Sequence, residues 1–232
     1  MRTITKYIPN TITCLNLFSG CVACVMISQE EFFLAGLWII LASLFDFMDG
    51  FVARMLKAFS PIGKELDSLA DVVSFGVAPA FMIYMLFTSW MAEFDGFFAQ
   101  YFPYLGFLVA VFSGLRLAKF NIDDRQTTSF IGLPVPANAL FWCALIVGAR
   151  EWLDTVPYNY LWLLPLVCFS SWMLVSEVPM FALKFKTFAW SQNKLRYSFL
   201  LLSILLIVLT GIPGISLAII LYVLLSLFNN RK

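Results

Sequence analysis

Long apolar segments alternate with short polar connections along the chain, and this alternation limits its fold more than any other feature. The apolar segments cover residues 11–28, 32–54, 66–88, 101–121, 134–153, 158–177, 195–210 and 213–229. Helices of about this length match the hydrocarbon thickness of a membrane. Of the 232 residues, 61% are hydrophobic and only 12% are charged, a balance that does not suit a soluble globular protein. We therefore predict an all-α fold, a polytopic transmembrane helical bundle of about eight spans.

The eight segments are expected to belong to one domain. Neither a repeat nor a low-complexity linker interrupts residues 1–232, which we interpret as a single integral membrane domain. Pro9 is expected to open the first helix, because a first turn tolerates proline, after a short interfacial segment. The last two helices, within 195–229, are separated by Gly211-Ile-Pro-Gly214 and are compatible with one hairpin.

The basic residues indicate an orientation in the membrane. With eight spans and cytoplasmic N- and C-termini, fourteen of the fifteen Lys and Arg residues lie on the cytoplasmic side, and only Arg150 lies outside. Such a bias is typical of cytoplasmic loops. The first ten residues are polar and basic, and no small-residue cleavage site follows the first apolar segment, so we expect no cleaved signal peptide.

Two residue types narrow the chemistry. The chain contains no histidine, which excludes Ser-His-Asp and Cys-His catalysis and a histidine general base. Its five cysteines lie inside apolar segments, where packing is the expected role. The net charge of +1 gives no reason to expect a nucleic-acid partner.

Four carboxylates lie in or beside apolar segments, at Asp46, Asp49, Asp67 and Asp71. Each ionised Asp opposes insertion by roughly 3 kcal/mol at the centre of a membrane helix. Spacings of three and four residues place each pair on one helix face, so two helices joined by a turn can aim all four into one gap. Oxygen ligands without histidine or thiolate favour Mg²⁺ or Mn²⁺. Pairing with nearby basic side chains is the structural alternative.

The same stretch carries a longer pattern, D-x2-D-G-x2-A-R-x8-G-x3-D-x3-D, over the 26 residues from Asp46 to Asp71. It resembles the signature of the CDP-alcohol phosphatidyltransferases, integral membrane enzymes that make phospholipids from CDP-activated lipids. The resemblance extends over roughly residues 8–180, which implies a six-helix catalytic core followed by two additional helices at 195–229. It also implies a homodimer.

The resemblance assigns roles to individual residues. It implies two divalent cations held by Asp46, Asp49 and Asp67, with Asp71 contacting the second cation and acting as the base. The positions it assigns to the CDP and lipid-phosphate groups are Asn10, Thr13, Gly50, Ala53, Arg54, Ser60 and Gly63. Asn10 and Thr13 belong to a P-N-x-x-T element, where helix capping is the alternative role. Arg54 is alternatively a membrane-interface anchor, and Ser60 an ordinary turn residue.

Two further stretches concern the acceptor alcohol. Leu115-Arg-Leu-Ala-Lys-Phe-Asn121 and Phe130-Ile-Gly-Leu-Pro-Val-Pro136 resemble the phosphatidylserine synthase branch of that family. The implied reaction transfers the phosphatidyl group of CDP-diacylglycerol to L-serine and gives phosphatidylserine and CMP. Arg116 or Lys119 would receive the serine carboxylate, and Asn121 would hydrogen-bond either end of serine. Contact with anionic lipid headgroups is the alternative role of the two cations.

Two other functions stay open at this point. Glycerol 3-phosphate or inositol phosphate would be used as acceptor with the same motif, although a phosphate demands several converging basic residues. An ion-coupled transporter would use the same carboxylates, but transporters place such charges near the midplane of repeated halves. The orientation above puts the carboxylates at the cytoplasmic face of the inner membrane, within reach of soluble substrates and membrane lipids.

Overall fold

Helices dominate the computed structural model, which describes residues 2–123, 130–181 and 190–229. In these ranges, each predicted apolar segment falls on one of eight helices, with ends that agree to within about five residues except at the start of the first helix. They are α1 (Arg2–Ser28), α2 (Phe32–Leu56), α3 (Pro61–Met91), α4 (Phe97–Ile122), α5 (Val135–Thr155), α6 (Asn159–Val175), α7 (Trp190–Thr210) and α8 (Pro213–Asn229). The predicted all-helical class is confirmed, apart from one short strand pair.

Five of these helices, in the described part of the chain, are long and apolar enough to cross a membrane. These spans are Tyr7–Ser28, Phe32–Leu56, Pro61–Met91, Phe97–Ile122 and Asn193–Thr210. Asn159–Val175 and Pro213–Phe228 are apolar but shorter. The chain is therefore a helical membrane protein, and the length and composition of five of the eight predicted spans suit a membrane crossing.

The first helix begins earlier than predicted. It starts at Arg2 and contains Pro9 in its interior, so the prediction that Pro9 opens the helix is wrong. Proline has no backbone N–H and so removes one hydrogen-bond donor from the helix. The carbonyl oxygen of Pro9 accepts a hydrogen bond from the hydroxyl of Thr13, at 3.1 Å.

α3 changes from α-helical to π-helical hydrogen bonding directly after Asp71. Residues Val72–Val77 form a π-helical turn between the α-helical segments Pro61–Asp71 and Ala78–Met91. The turn packs closely against α1: a Cβ added to Gly20 would lie 2.8 Å from the Cα of Ser74. Short π-helical turns inside α-helices are frequent at functional sites. The close packing fixes α3 against α1 at the level of the last carboxylate.

One hydrophobic core joins the first six helices. Its fully buried members include Ile27, Ile39, Phe75, Phe87 and Trp142. A second, smaller cluster consists of Leu133, Met173, Met180, Phe199, Tyr222 and Val223. This second cluster joins the C-terminal helices to the ends of α5 and α6.

A strand pair and a helical hairpin complete the fold near the second cluster. β1 (Phe130–Ile131) pairs antiparallel with β2 (Pro179–Met180). α7 and α8 meet at a tight turn in which Gly211 has a φ of 69°, a value that favours glycine. The hydroxyl of Ser216 on α8 donates a hydrogen bond to the carbonyl oxygen of Phe141 on α5, at 2.8 Å. The hairpin therefore packs on the rest of the protein through α8.

Candidate active site

Three carboxylates from two helices meet near the turn between α2 and α3. Asp46 and Asp49 lie one turn apart on α2, and Asp67 lies on α3. One carboxylate oxygen from each lies within 4.8 Å of the others. The predicted convergence of these residues is therefore observed.

The turn that brings the two helices together has well-defined ends. Lys57 ends α2 in the left-handed conformation, with φ 49° and ψ 40°. Ser60 caps α3 by accepting a hydrogen bond from the backbone N–H of Gly63 at 3.1 Å. Because so few residues lie between these two positions, the start of α3 stays close to the end of α2. The turn role considered for Ser60 is confirmed.

Asp71 lies one turn beyond Asp67 on the same face of α3. It is buried and lies close enough to Asp46 and Asp67 to interact with both electrostatically. Its Oδ1 atom accepts a hydrogen bond from Nδ2 of Asn16 on α1, at 3.1 Å. Asp71 is not a member of the close group of three oxygens. It stands beside the candidate metal centre with one oxygen committed to Asn16.

The donor set fits a divalent cation. Two ionised carboxylates 4.8 Å apart repel each other by about 3.5 kcal/mol at an effective dielectric constant of about 20. A bound cation of charge +2 removes this repulsion. Carboxylate oxygens are ligands of Mg²⁺ and Mn²⁺, and the group contains neither nitrogen nor sulfur. Asp46, Asp49 and Asp67 are therefore consistent with metal binding.

α1 orients one of these ligands. The hydroxyl of Thr13 donates a hydrogen bond to Oδ2 of Asp49 at 2.5 Å, and both side chains are buried. A neighbour that fixes a metal ligand in this way restricts its rotation and sharpens its geometry. Thr13, predicted as a nucleotide contact, therefore also acts as a partner of Asp49.

A cleft of about 220 Å³ lies next to the carboxylates, between α1, α2 and α3. We call it the Asp49 cleft. Its lining residues are Pro9, Asn10, Thr13, Asp49, Gly50, Ala53, Ala58, Phe59, Ser60, Gly63, Lys64 and Asp67. Six of the seven residues predicted for the CDP and phosphate groups are among them. The structure thus gathers these six positions around one cavity.

The two glycines of the cleft have different roles. A Cβ on Gly50 would meet only the guanidinium of Arg54, 3.7 Å away, so the missing side chain leaves open space. A Cβ on Gly63 would lie 2.8 Å from Oδ1 of Asn10 and 2.9 Å from Oγ of Ser60. Gly50 therefore widens the cleft, whereas Gly63 permits close packing of α3 on α1. Arg54, the seventh predicted residue, is exposed and folds over Gly50 at the rim.

Arg116 and Lys119 line a second, smaller cavity of about 30 Å³, which we call the Arg116 cavity. Its other lining residues are Asp123, Ile131, Leu174, Val175, Ser176 and Glu177. The Arg116 side chain is buried, and its Nε atom has no hydrogen-bond partner among the described residues. The guanidinium of Arg116 lies over the ring of Phe120, 5.6 Å from its centroid.

The third predicted acceptor residue lies elsewhere. Nδ2 of Asn121 donates to Oγ of Ser68 at 2.9 Å, and its backbone oxygen accepts from Nζ of Lys64 at 2.8 Å. Asn121 thus ties α4 to α3 and is not among the residues that line the Arg116 cavity.

Asn16 is a site residue that the sequence prediction missed. It is fully buried, contacts Asp71 through its amide, and accepts a hydrogen bond from Ser74 at its backbone oxygen. The signal was present in the sequence, since Asn10, Thr13 and Asn16 repeat every three residues along this helix. That spacing places their side chains on one face.

Comparison with known proteins agrees with this site. A sequence model of the family described as CDP-alcohol phosphatidyltransferase matches residues 6–228. The CDP-diacylglycerol–serine O-phosphatidyltransferase of Bacillus subtilis is 34% identical over 177 residues, 75% of this chain and 89% of that protein. Proteins of the same name from Helicobacter pylori and Methanocaldococcus jannaschii are each 36% identical. Those matches cover 63% and 68% of this chain, but only 60% and 65% of the respective relatives.

Proposed function

We propose that this chain, which belongs to the CDP-alcohol phosphatidyltransferase family, transfers the phosphatidyl group of CDP-diacylglycerol to the hydroxyl of L-serine. The products would be phosphatidylserine and CMP. The observation that carries the choice of serine is the Arg116 cavity, where cationic and anionic side chains surround one small space. The names of the relatives above support the same choice.

The donor would bind in the Asp49 cleft. Gly50 and Ala53 leave space for the cytidine nucleotide, and Asn10, Thr13, Ser60 and Gly63 form the opposite wall. Arg54 at the rim would pair with a phosphate oxygen. The diacylglycerol chains need no cavity, because they would lie among the lipid-facing side chains.

Two divalent cations, Mg²⁺ or Mn²⁺, would be held by Asp46, Asp49 and Asp67, with Asp71 beside the second. When bound, they would offset negative charge on the attacked phosphoryl group and on the departing CMP. Thr13 would keep Asp49 in its binding orientation through the hydrogen bond observed at 2.5 Å.

Asp71 would act as the general base. The hydrogen bond from Asn16 occupies its Oδ1 atom, which leaves Oδ2 to take the proton of the serine hydroxyl. The serine oxygen would then form a bond to the lipid-side phosphorus, and the bond from that phosphorus to the bridging oxygen of CMP would break. Charge is conserved, because CMP leaves with the electron pair of the broken bond. A positioned base of this kind contributes roughly 10²- to 10⁴-fold to a rate.

Serine would be recognised by charge at both ends of its backbone. Its carboxylate would pair with Arg116 and Lys119, and its ammonium group with Asp123 or Glu177, which line the same cavity. A cavity of about 30 Å³ holds only about one water molecule, so the exposed side chains of Lys119 and Glu177 would part as serine enters.

The alternative functions considered from the sequence have less support. Glycerol 3-phosphate or inositol phosphate would bring a phosphate next to the carboxylates of Asp123 and Glu177, which repel it. Membership in a family of phosphatidyltransferases replaces the ion-coupled transporter considered from the sequence.

The arrangement in the membrane belongs to the same proposal. We propose one domain in which residues 8–180 form a six-helix catalytic core and 195–229 form two additional helices. Both termini and the active site would face the cytoplasm, where fourteen of the fifteen basic residues would lie. We further propose a homodimer in the inner membrane.

The test is CMP release by the purified protein in detergent, with CDP-diacylglycerol and each acceptor supplied singly. We expect release that requires L-serine, disappears with a chelator and returns with Mg²⁺ or Mn²⁺. Release with glycerol 3-phosphate or inositol phosphate instead would keep the phosphatidyl transfer and overturn serine as the acceptor.

A further inference from the structure

The C-terminal helix α8 lies against the segment that walls the Arg116 cavity. That segment, residues 176–181, follows α6 and contributes Ser176 and Glu177 to the cavity. At its end, the carbonyl oxygen of Phe181 accepts a hydrogen bond from the hydroxyl of Tyr222 on α8, at 3.0 Å. The two rings meet edge to face with centroids 4.8 Å apart.

The same segment is held on its other side by β1 and the residues after it. Ile131 pairs with Pro179, and the N–H of Gly132 donates to the carbonyl oxygen of Val178 at 2.9 Å. A Cβ on Gly132 would lie 2.9 Å from the carbonyl oxygen of Ser176, so the contact is close. Residues 176–181 are therefore clamped between the strand pair and α8.

Tyr222 is also held in place by apolar packing. Its side chain is buried in the second hydrophobic cluster, between Phe181 and Phe199. One residue of α8 thus joins the segment that walls the cavity to this cluster.

We propose that α8 completes the acceptor subsite and that Tyr222 is a positioning residue, which holds residues 176–181 in the geometry that binds the acceptor. This inference rests on the proposed function, because the Arg116 cavity is assigned to serine there. It gives the C-terminal hairpin a role in acceptor binding, although the hairpin lies outside the Asp49 cleft.

The test compares Tyr222→Phe with Ser216→Ala as a matched control. Each variant removes one hydroxyl of α8 that donates to a carbonyl oxygen of another segment, at 3.0 and 2.8 Å. We expect Tyr222→Phe to raise the KM for serine about five-fold, the value of one hydrogen bond, with the KM for CDP-diacylglycerol unchanged. Ser216→Ala should leave both KM values unchanged. No change in Tyr222→Phe, or an equal change for both substrates, would overturn the role of Tyr222.

A second readout needs no turnover. Hydrogen exchange in residues 176–181 should be faster in Tyr222→Phe than in Ser216→Ala, and equal exchange would overturn the clamp. If the unmodified protein uses another acceptor, the proposed function fails. The kinetic comparison is then made with that acceptor, and exchange reports the clamp in either case.

Discussion

The Asp49 cleft and the Arg116 cavity differ in how far apart their residues lie in the sequence. Apart from three residues of α1, the cleft is lined by residues 49–67, which form one helix end, one turn and the next helix start. The cavity is lined by residues of α4, by Asp123, by β1, by the end of α6 and by the segment after it. A local site keeps its geometry as long as one turn is kept, whereas a dispersed site can change when any of its segments moves. If the Arg116 cavity binds the acceptor as proposed, we expect acceptor choice to be altered most readily there.

The largest effect is expected at Asp71, the proposed general base. Asp71→Asn keeps the size of the side chain and its contact with Asn16 but removes the base. We expect kcat to fall by roughly 10²- to 10⁴-fold with the protein still folded. Asp95→Asn, on an exposed connection far along the chain, is the control and should retain activity. Substantial turnover in Asp71→Asn would remove Asp71 from the role of base.

Arg116→Ala separates the two sites most clearly. Loss of a charged hydrogen-bonding partner should raise the KM for serine by about 10- to 100-fold and change the KM for CDP-diacylglycerol far less. The measurement is the pair of KM values from CMP release. Arg150→Ala, whose guanidinium lies over the ring of Phe32 and near Asp154, should affect neither. Equal effects of Arg116→Ala on both substrates would count against a carboxylate partner.

Thr13→Val tests whether α1 orients the proposed metal ligand Asp49 through the hydrogen bond from Thr13. Valine keeps the shape of threonine but cannot donate to Asp49. We expect the concentration of Mg²⁺ or Mn²⁺ at half-maximal activity to rise about tenfold. Thr11→Val is matched to it, since that hydroxyl is exposed and bonds only to the backbone oxygen of Tyr7. A metal dependence that is the same in both variants would exclude Thr13 from this role.

Gly50→Ala should have the smallest effect and act on the donor alone. The added methyl group fits the protein but narrows the cleft, which should weaken CDP-diacylglycerol binding by roughly 1 kcal/mol, about five-fold in KM. Gly114→Ala, another helical glycine with open space around it, controls for the gain in helix propensity. If the KM for serine increased instead, a substitution in the Asp49 cleft would be affecting acceptor binding, and the two sites would not be independent.

The sequence predicted the Asp49 cleft and its carboxylates well, because most of the residues that form them lie close together in the sequence. Spacings of three and four residues bring Asp46, Asp49 and Asp67 onto facing sides of two helices, and the structure confirms their convergence. The dispersed site was predicted less well. Arg116 and Lys119 share a cavity, but the side chain of Asn121 donates to Ser68 instead. Asn121 follows Lys119 by two positions, and two residues of an α-helix rotate the side chain by about 200°, to the opposite face.

Other features depend on contacts between distant parts of the chain, which the spacing of residues in the sequence does not predict. Tyr222 reaches Phe181 across 41 residues of sequence, and only the packing of α8 brings them together. The π-helical turn after Asp71 coincides with the close contact of Gly20 and Ser74, on different helices. The start of α1 at Arg2 was missed because proline was treated as a helix boundary, although a helix can accommodate it in its interior.

The most direct test of the central claim is the fate of the hydroxyl oxygen of serine. Purified protein would be given CDP-diacylglycerol, Mg²⁺ or Mn²⁺, and L-serine labelled with ¹⁸O in its hydroxyl group, and the products would be analysed by mass spectrometry. Attack of serine on the lipid-side phosphorus predicts phosphatidylserine that retains the label, together with unlabelled CMP. Labelled cytidylyl-serine with phosphatidic acid, or a lipid product without the label, would contradict the account.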